Sequence, residues 1–554
     1  MVKRVFNFVY REVRGLHQAA YILALFAFGS QILAIVRDRL LAHTFGAGIE
    51  LDLYYAAFRI PDLLFVLFAS VLSIYVLLPF VNRYAEDNNP AGGAKVLSQM
   101  FSLFLLVYTL VAGLLALLAP WYVLHIFPGF GEEYESLILL LRILLIQPFL
   151  LGLSSLCGVV TQMNHRFILY ALSPLLYNVG IILGITFFYP AVGLVGLVVG
   201  VVLGAVGHLA IQLPFVLKSE YSFFTTSKID WGLIKNILLV SVPRALTLSI
   251  NQIVLLILIG MASVMSVGSV SVFQFAFNLQ SVPLVIIGMS YSVAAFPTLS
   301  YLHAKSDLQG FNKQLLTALR HIFFWSIPII GLVIVLRAQI VRVLLGSGEF
   351  NWSDTRLTAA MLAIFVISLL AQAVLLLLIR AFYAGGRTVL PFFVALAGGV
   401  ISVALATGFM FLYTEYTALQ SFLNETFRLT GVAGSEVLVL ALAFVLGQYI
   451  QLIALIVLSK RIFNINLRPL ARLFVHSGVA TIAGAVTAYV TLVFVVGGIN
   501  QETFVGIMIQ GITAGVMGIV AIVLTYAVGN SPELKEIYRS FQSRILKTDV
   551  IAPQ

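Results

Sequence analysis

Long apolar runs recur from one end of this chain to the other, and they constrain its fold more than any other feature. Residues 19–36, 101–119 and 437–459 each approach the length of about 20 residues that a helix needs to cross a hydrocarbon core. Because backbone amides need partners inside lipid, such runs must be helices, whereas barrel strands would be shorter and would alternate in polarity. Hydrophobic residues make up 61% of the chain and charged residues 10%, which excludes a soluble fold. The sequence predicts an all-α polytopic membrane protein with about 14 transmembrane helices.

Basic and acidic residues are sorted between alternate loops. If the N-terminus faces the cytoplasm, every lysine falls in a predicted inside loop, whereas the outside loops hold glutamates such as Glu132, Glu349 and Glu425. The positive-inside rule therefore places both termini in the cytoplasm, in a multi-pass protein of the bacterial inner membrane. Basic residues in the inside loops explain the formal net charge of +10. The charge therefore does not indicate that the chain binds nucleic acid.

A short repeat indicates how the spans are grouped. Residues 57–79 and 276–297 both begin with Ala-Phe, and in both a proline precedes an apolar stretch that ends at a Phe and Pro pair. Roughly six predicted spans separate the copies, which predicts two parallel six-helix lobes followed by two more helices. The predicted parts are a cytoplasmic amphipathic segment (1–16), a first lobe (17–217), a cytoplasmic linker (218–230), a second lobe (231–462), spans 13 and 14 (463–530) and a cytoplasmic tail (531–554).

Ionisable residues gather at the end of the first predicted span and the start of the second. They are Arg37, Asp38, Arg39, Asp52, Arg59 and Asp62. Charged groups inside a span are costly and normally face a cavity, a partner or the interface. Since an arginine fork matches phosphate oxygens, these arginines are candidates for binding a diphosphate. The aspartates either pair with the arginines or respond to protons and ions. The simpler interpretation is an ion-pair network that anchors the first span.

No pattern in the sequence supports catalysis or a bound metal. Cys157 is the single cysteine, and the chain contains no HExxH, GxSxG or glycine-rich phosphate loop. We interpret His208 and Gln212, one helical turn apart, as groups that hydrogen-bond between helices rather than as metal ligands. The chain is therefore predicted not to be an enzyme and to need no cofactor, with coupling to an ion or to the membrane potential left open.

Several stretches together resemble a known family. Ser30 to Leu63 is similar to the first two spans of the MurJ/MviN lipid II flippases, within the multidrug/oligosaccharidyl-lipid/polysaccharide exporter superfamily. Further similar stretches are 173–184, 201–214, 268–277, 296–300 and 380–391. The resemblance implies two six-helix lobes in a V, a cationic cavity for the lipid II diphosphate, and a last pair of helices that forms a groove for the lipid tail.

The resemblance also implies a set of site residues. By resemblance, the substrate-binding residues are Arg37, Asp52, Arg59 and Ser271. The charge cluster adds Arg39, with Gln31 and Asn278 as neutral donors, and the predicted hinge residues are Gly46, Gly48 and Pro61. Where the family has basic residues, this chain has Gln31, Phe65, Val66 and Asn278. These departures reduce the positive charge that a diphosphate would meet.

The function expected from these observations is that of a flippase. It would move lipid II from the cytoplasmic to the outer leaflet by alternating access, as a monomer among membrane lipids, with cell-wall synthesis proteins as candidate partners. Three alternatives stay open at this point: a flippase for another polyprenyl-linked sugar, a non-transporting cell-wall scaffold, and a cation-coupled small-molecule exporter.

Overall fold

The protein folds into helices joined by short connections. The computed structural model describes residues 10, 12, 16–86, 90–223, 230–500 and 503–545, and within these ranges it contains no strand. In the same ranges, 14 helical segments are long and apolar enough to cross a membrane. The predicted all-α polytopic fold and the predicted number of spans are confirmed.

Parts of the predicted organisation fall outside the described residues. Most of the amphipathic segment (1–16), residues 224–229 of the linker (218–230) and residues 546–554 of the tail (531–554) are among them. The domain boundaries proposed from the sequence stay predictions.

The first compact unit comprises Met1–Val272 with Ser347–Asn351. Its helices are α1 (Leu16–Phe45), α2 (Ile49–Val71), α3 (Ile74–Glu86), α4 (Pro90–Ile126), α5 (Tyr134–Leu144), α6 (Ile146–Met163), α7 (Phe167–Leu183), α8 (Tyr189–Val192), α9 (Leu194–Ala210), α10 (Leu213–Lys218) and α11 (Trp231–Ser263). A 3₁₀ helix spans Pro128–Glu133, and a π-helix at Gly184–Phe188 follows α7.

Glycines bring α7 and α9 into backbone contact. A Cβ atom on Gly180 would lie 2.2 Å from the Cα of Gly204, and one on Gly200 would lie 2.3 Å from the Cα of Gly184. Small residues four positions apart are the usual means by which membrane helices approach closely, since lipid offers no hydrophobic force to press them together. This closely packed pair lies in the same unit as the charged cluster described below.

The second compact unit comprises Phe273–Gly346 with Trp352–Gln554. Helix α12 (Ser269–Leu284) begins in the first unit and continues into this one. The remaining helices are α13 (Ser290–Ala304), α14 (Leu308–Leu345), α15 (Trp352–Ala384), α16 (Val389–Glu415), α17 (Thr417–Thr426), α18 (Leu438–Phe463), α19 (Arg468–Val490), α20 (Phe504–Val528) and α21 (Pro532–Ile545). π-Helices occupy Val285–Met289 and Thr491–Val495, and a 3₁₀ helix occupies Ser435–Val437.

Aromatic packing around α15 forms part of the core of the second unit. The ring of Phe365 lies 5.0 Å from that of Phe273, 5.6 Å from that of Phe277 and 5.7 Å from that of Phe444, all in edge-on geometry. Because α15 is apolar on every side, neighbouring helices cover most of its length, as expected for a helix without a polar face. Phe277, which comes directly before the predicted site residue Asn278, therefore contributes to packing.

The C-terminal helix α21 docks on α14 through a buried carboxylate. Arg320 donates from Nε and Nη2 to Oε1 of Glu533 at 2.8 and 2.6 Å, and the hydroxyl of Ser531 donates to Oε2 at 2.7 Å. Burial alone would raise the pKa of Glu533, but hydrogen bonds from Ser531 and the backbone, together with the Arg320 charge, hold that pKa below its ordinary value. The ionised carboxylate is thus the form that holds α21 in place.

Replacing Glu533 with glutamine is expected to loosen α21. Because the pKa of Glu533 is lower in the folded chain, its stabilisation is complete above the unfolded value of about 4.3 and is lost as the pH falls through the folded value. At neutral pH we expect Glu533→Gln to weaken docking by about 1–3 kcal/mol, measured by hydrogen exchange of the α21 amides. Glu536→Gln is the matched control, since Glu536 is 47% exposed and its Oε2 lies 3.1 Å from Nε2 of the half-buried His321. Equal protection of α21 in the two variants would contradict this role for Glu533.

Candidate functional site

Arg37 on α1 is held by hydrogen bonds from two sides. Its guanidinium donates from Nε and Nη2 to Oδ1 of Asp38 at 2.9 and 2.8 Å, and from Nη1 to Oδ1 of Asn178 on α7 at 3.3 Å. Asn178 in turn donates to the hydroxyl of Ser30 at 3.2 Å. A guanidinium carries five N–H donors. Within the described part of the chain two of these have no protein acceptor, so Arg37 is fixed in direction and still able to bind an anion.

Arg59 on α2 lies in the same cluster of charges. It is 5% exposed, and its Nε donates to the backbone oxygen of Tyr55 at 3.3 Å. Asp62, almost one turn further along α2, is within electrostatic range of both Arg59 and Arg37. Buried charges are tolerated when opposite charges or hydrogen bonds surround them. Arg37, Arg59, Asp38 and Asp62 therefore form one group of charges, which we call the arginine cluster.

Asp52 binds the start of α12. Its Oδ2 accepts a hydrogen bond from the backbone N–H of Gly268 at 2.7 Å, and its Oδ1 accepts from the backbone N–H and the hydroxyl of Ser271 at 2.7 and 2.5 Å. Asp52 is 3% exposed and Ser271 is fully buried. A carboxylate at the N-terminus of a helix satisfies amides that have no partner within the helix and complements the helix dipole. The structure thus brings these two predicted site residues together and engages each with the other.

Three glycines with left-handed backbone conformations meet at the end of α1. They are Gly46 (φ 58°), Gly268 (φ 89°) and Gly348 (φ 57°). A Cβ atom on Gly268 would lie 2.2 Å from the carbonyl oxygen of Ala47, and one on Gly348 would lie 2.2 Å from that of His43. Both the positive φ and the lack of space require glycine at these positions. We call this contact the glycine junction.

The other residues predicted for the site are placed separately. Gln31 and Arg39 are half-buried on α1, and Asn278 is half-buried on α12, in the second unit. Gly48 precedes α2 with an extended backbone, and Pro61 is buried within α2. Their proposed roles in substrate binding and as hinges stay predictions, as do those of Arg37, Asp52, Arg59 and Ser271.

Some polar contacts were anticipated and others were not. Ser154 on α6 lies 2.7 Å from Nδ1 of His208 on α9, and Gln212 donates to the hydroxyl of Ser154 at 2.8 Å, which confirms the hydrogen bonding between helices expected for His208 and Gln212. The sequence alone indicated no role for Ser30 or Asn178. The only sign of Asn178 was its place within a stretch, 173–184, that resembles the family.

Solved structures with the same arrangement of helices identify the class of fold. The structure titled "Lipid II flippase MurJ, inward closed conformation" superposes with a TM-score of 0.69 at 21% identity, covering 92% of this chain and 99% of that chain. An inward-facing multidrug resistance MATE family transporter of the MOP superfamily gives a TM-score of 0.65 at 15% identity, covering 78% of this chain and 94% of that chain. The fold is therefore that of a multi-span transporter.

Sequence comparison gives the family. A protein named probable lipid II flippase MurJ from Thermotoga maritima is 30% identical over 382 residues, which are 68% of this chain and 76% of that protein. A Buchnera aphidicola protein of the same name is 29% identical over 408 residues, 72% of this chain and 78% of that protein. The family described as lipid II flippase MurJ matches residues 41–510, and this chain belongs to it. The match extends well past residue 391, where the similar stretches found by inspection end.

Proposed function

We propose that this chain moves lipid II, a lipid-linked peptidoglycan precursor, from the cytoplasmic to the outer leaflet of the bacterial inner membrane by alternating access. The observation that carries the proposal is the family match over residues 41–510, which includes Arg59. The arginine cluster supports it, because the half-buried Arg37 on α1 and the buried Arg59 on α2 provide donors of the kind that a diphosphate requires. Among the described residues, 14 helical segments are long and apolar enough to cross a membrane, which a transporter requires.

In this proposal the arginine cluster binds the diphosphate of the substrate. The two N–H groups of Arg37 that lack a protein acceptor bind phosphate oxygens, while Asp38 and Asn178 keep the guanidinium in place. Asp38 and Asp62 also moderate the positive charge, which favours release, since a substrate held too tightly in both states is not transported. The energy for transport comes from the difference in substrate affinity between the inward-open and the outward-open state. The membrane potential also acts on the charged groups.

We further infer that the chain is a transporter and not an enzyme, and that it works as a monomer with both termini in the cytoplasm. The orientation is supported by the position of every lysine in predicted inside loops. Cell-wall synthesis proteins are its candidate partners.

The proposal is tested by replacing a resident flippase. In a bacterial host depleted of its own lipid II flippase, expression of this chain is expected to restore growth and the outward exposure of lipid II, measured against an empty vector. Membrane insertion is checked in parallel on the same cells. Insertion without restored exposure would contradict the proposal and would favour another polyprenyl-linked sugar or a scaffold. Increased drug sensitivity on deletion in the native host, without a wall defect, would favour a small-molecule exporter.

A further inference from the structure

A cationic cavity of about 760 Å³ lies wholly within the second unit. It is bordered by the end of α14, the start of α15, the turn after α17, and the facing parts of α19 and α20. Arg337, Arg356 and Arg428 line it, and the described residues of its wall include no aspartate or glutamate. Its volume is in the range of sites that hold small organic ligands.

Two of the three arginines of this cavity donate to backbone oxygens. Arg337 donates from Nη1 to the carbonyl oxygen of Ile334 at 2.9 Å, and Arg356 donates from Nη2 to the carbonyl oxygen of Arg428. Arg337 and Arg428 are close enough for their charges to repel. As far as the described residues extend, none of the three guanidinium groups forms an ion pair. Like charges gathered without an acidic partner are stabilised when an anion binds among them.

One wall of the cavity is apolar and open to the surroundings. The side chains of Trp352 and Tyr489 are 57% and 56% exposed, and that of Val493, which follows α19, is 46% exposed. Tryptophan and tyrosine favour the boundary between hydrocarbon and water. A ligand that fits both parts of the cavity therefore has an anionic head and a hydrocarbon tail.

We propose that this cavity binds the phosphate headgroup of an anionic membrane lipid, with the acyl chains along α19. The two unesterified oxygens of a phosphodiester match an arginine fork, and the net negative charge of the headgroup is what three arginines select. A zwitterionic lipid carries a cation that the same arginines repel. In the orientation inferred above, the cavity faces the outer leaflet. It lies wholly within the second unit, whereas the arginine cluster lies in the first, so the two sites share no residue.

The test uses Trp352 as a reporter in the full-length chain. Trp121, Trp231 and Trp325 are replaced by phenylalanine, and the protein is placed in phosphatidylcholine vesicles with a small fraction of brominated phosphatidylglycerol or brominated phosphatidylcholine. We expect the anionic lipid to be enriched beside Trp352 by about fivefold to tenfold relative to phosphatidylcholine. Brominated phosphatidylglycerol should therefore quench the emission of Trp352 more strongly than brominated phosphatidylcholine does. Combining Arg337→Gln, Arg356→Gln and Arg428→Gln is expected to remove the difference between the lipids.

Two controls keep the result specific. Arg461→Gln, Arg468→Gln and Arg472→Gln together remove the same charge from the predicted cytoplasmic side and are expected to leave the quenching difference unchanged. Arg428→Gln alone, at an exposed loop position, is expected to reduce the difference without a risk to folding.

Three results would overturn the proposal. They are equal quenching by the two brominated lipids, an unchanged preference in the variant with three substitutions, and a response of Trp352 to inorganic phosphate in pure phosphatidylcholine vesicles without any preference for phosphatidylglycerol. The last result would assign the cavity to free phosphate.

Discussion

Arg59→Ala is expected to reduce the outward exposure of lipid II about 100-fold in the flippase-depleted host. In the proposed function, Arg59 would add two charge-assisted hydrogen bonds to the diphosphate beside those of Arg37. Their loss would cost about 3 kcal/mol of substrate binding, and about 1.4 kcal/mol corresponds to a factor of ten. Burial makes the effect large, because at 5% exposure no water replaces the missing guanidinium at low cost. The measurement is lipid II exposure per amount of protein in the membrane.

Arg142→Ala is the matched control for that variant. Arg142 also lies in the first unit and also donates from Nε to a backbone oxygen, that of Ala116 at 2.9 Å, but its side chain is exposed. We expect at least half of the wild-type exposure of lipid II in this control. Arg59→Lys keeps the charge without the fork and is expected to fall between the two. Normal exposure in Arg59→Ala at equal protein levels would show that transport does not need Arg59 and would contradict the role proposed for the arginine cluster.

Asp52→Ala is expected to lower the free energy of unfolding by about 3–5 kcal/mol, because it leaves three buried donors without an acceptor. These donors are the backbone N–H groups of Gly268 and Ser271 and the hydroxyl of Ser271. Thermal unfolding of the purified protein in detergent, followed by tryptophan emission, measures the loss. Asp52→Asn retains one acceptor oxygen and is expected to give an intermediate value.

Glu50→Gln provides the control for Asp52. Glu50 lies two residues earlier in the first turn of α2, is exposed, and accepts one hydrogen bond from the hydroxyl of Tyr189 at 2.7 Å. A glutamine retains an acceptor there, so a change below about 0.5 kcal/mol is expected. Should Asp52→Ala unfold at the same temperature as Glu50→Gln, the hydrogen bonds of Asp52 to the start of α12 would not stabilise the fold.

The spans were predictable because their signal is local. A run of about 20 apolar residues indicates both a helical conformation and a membrane span, whatever the rest of the chain contains. The pairing of Arg37 with Asp38 was foreseeable for the same reason, since the two are neighbours. The contact of Arg37 with Asn178 was not, because it joins residues 141 positions apart.

The roles of particular polar groups depended on tertiary structure. Asp52 lies in a run of charges and was expected to bind substrate or pair with an arginine, whereas the fold presents it with backbone amides of α12. Gly268 and Gly348 carry no local signal for contact with the end of α1, because a positive φ becomes informative only when the neighbouring backbone is known. The cavity arginines likewise come from separate helices and loops, so their common surroundings are invisible in the sequence.

The three π-helices affect how this chain is aligned with its relatives. A π-turn accommodates one extra residue within an unbroken helix. In the segment from Ser269 to Ala304, the π-turn at Val285–Met289 shifts the helical phase by one residue. Residues on either side of it lie on the same face of the helix only when the extra residue is left out of their spacing. Aligning this segment without a gap against a relative that has a regular α-helix there would rotate every later residue by about 100° and pair lipid-facing positions with interior ones.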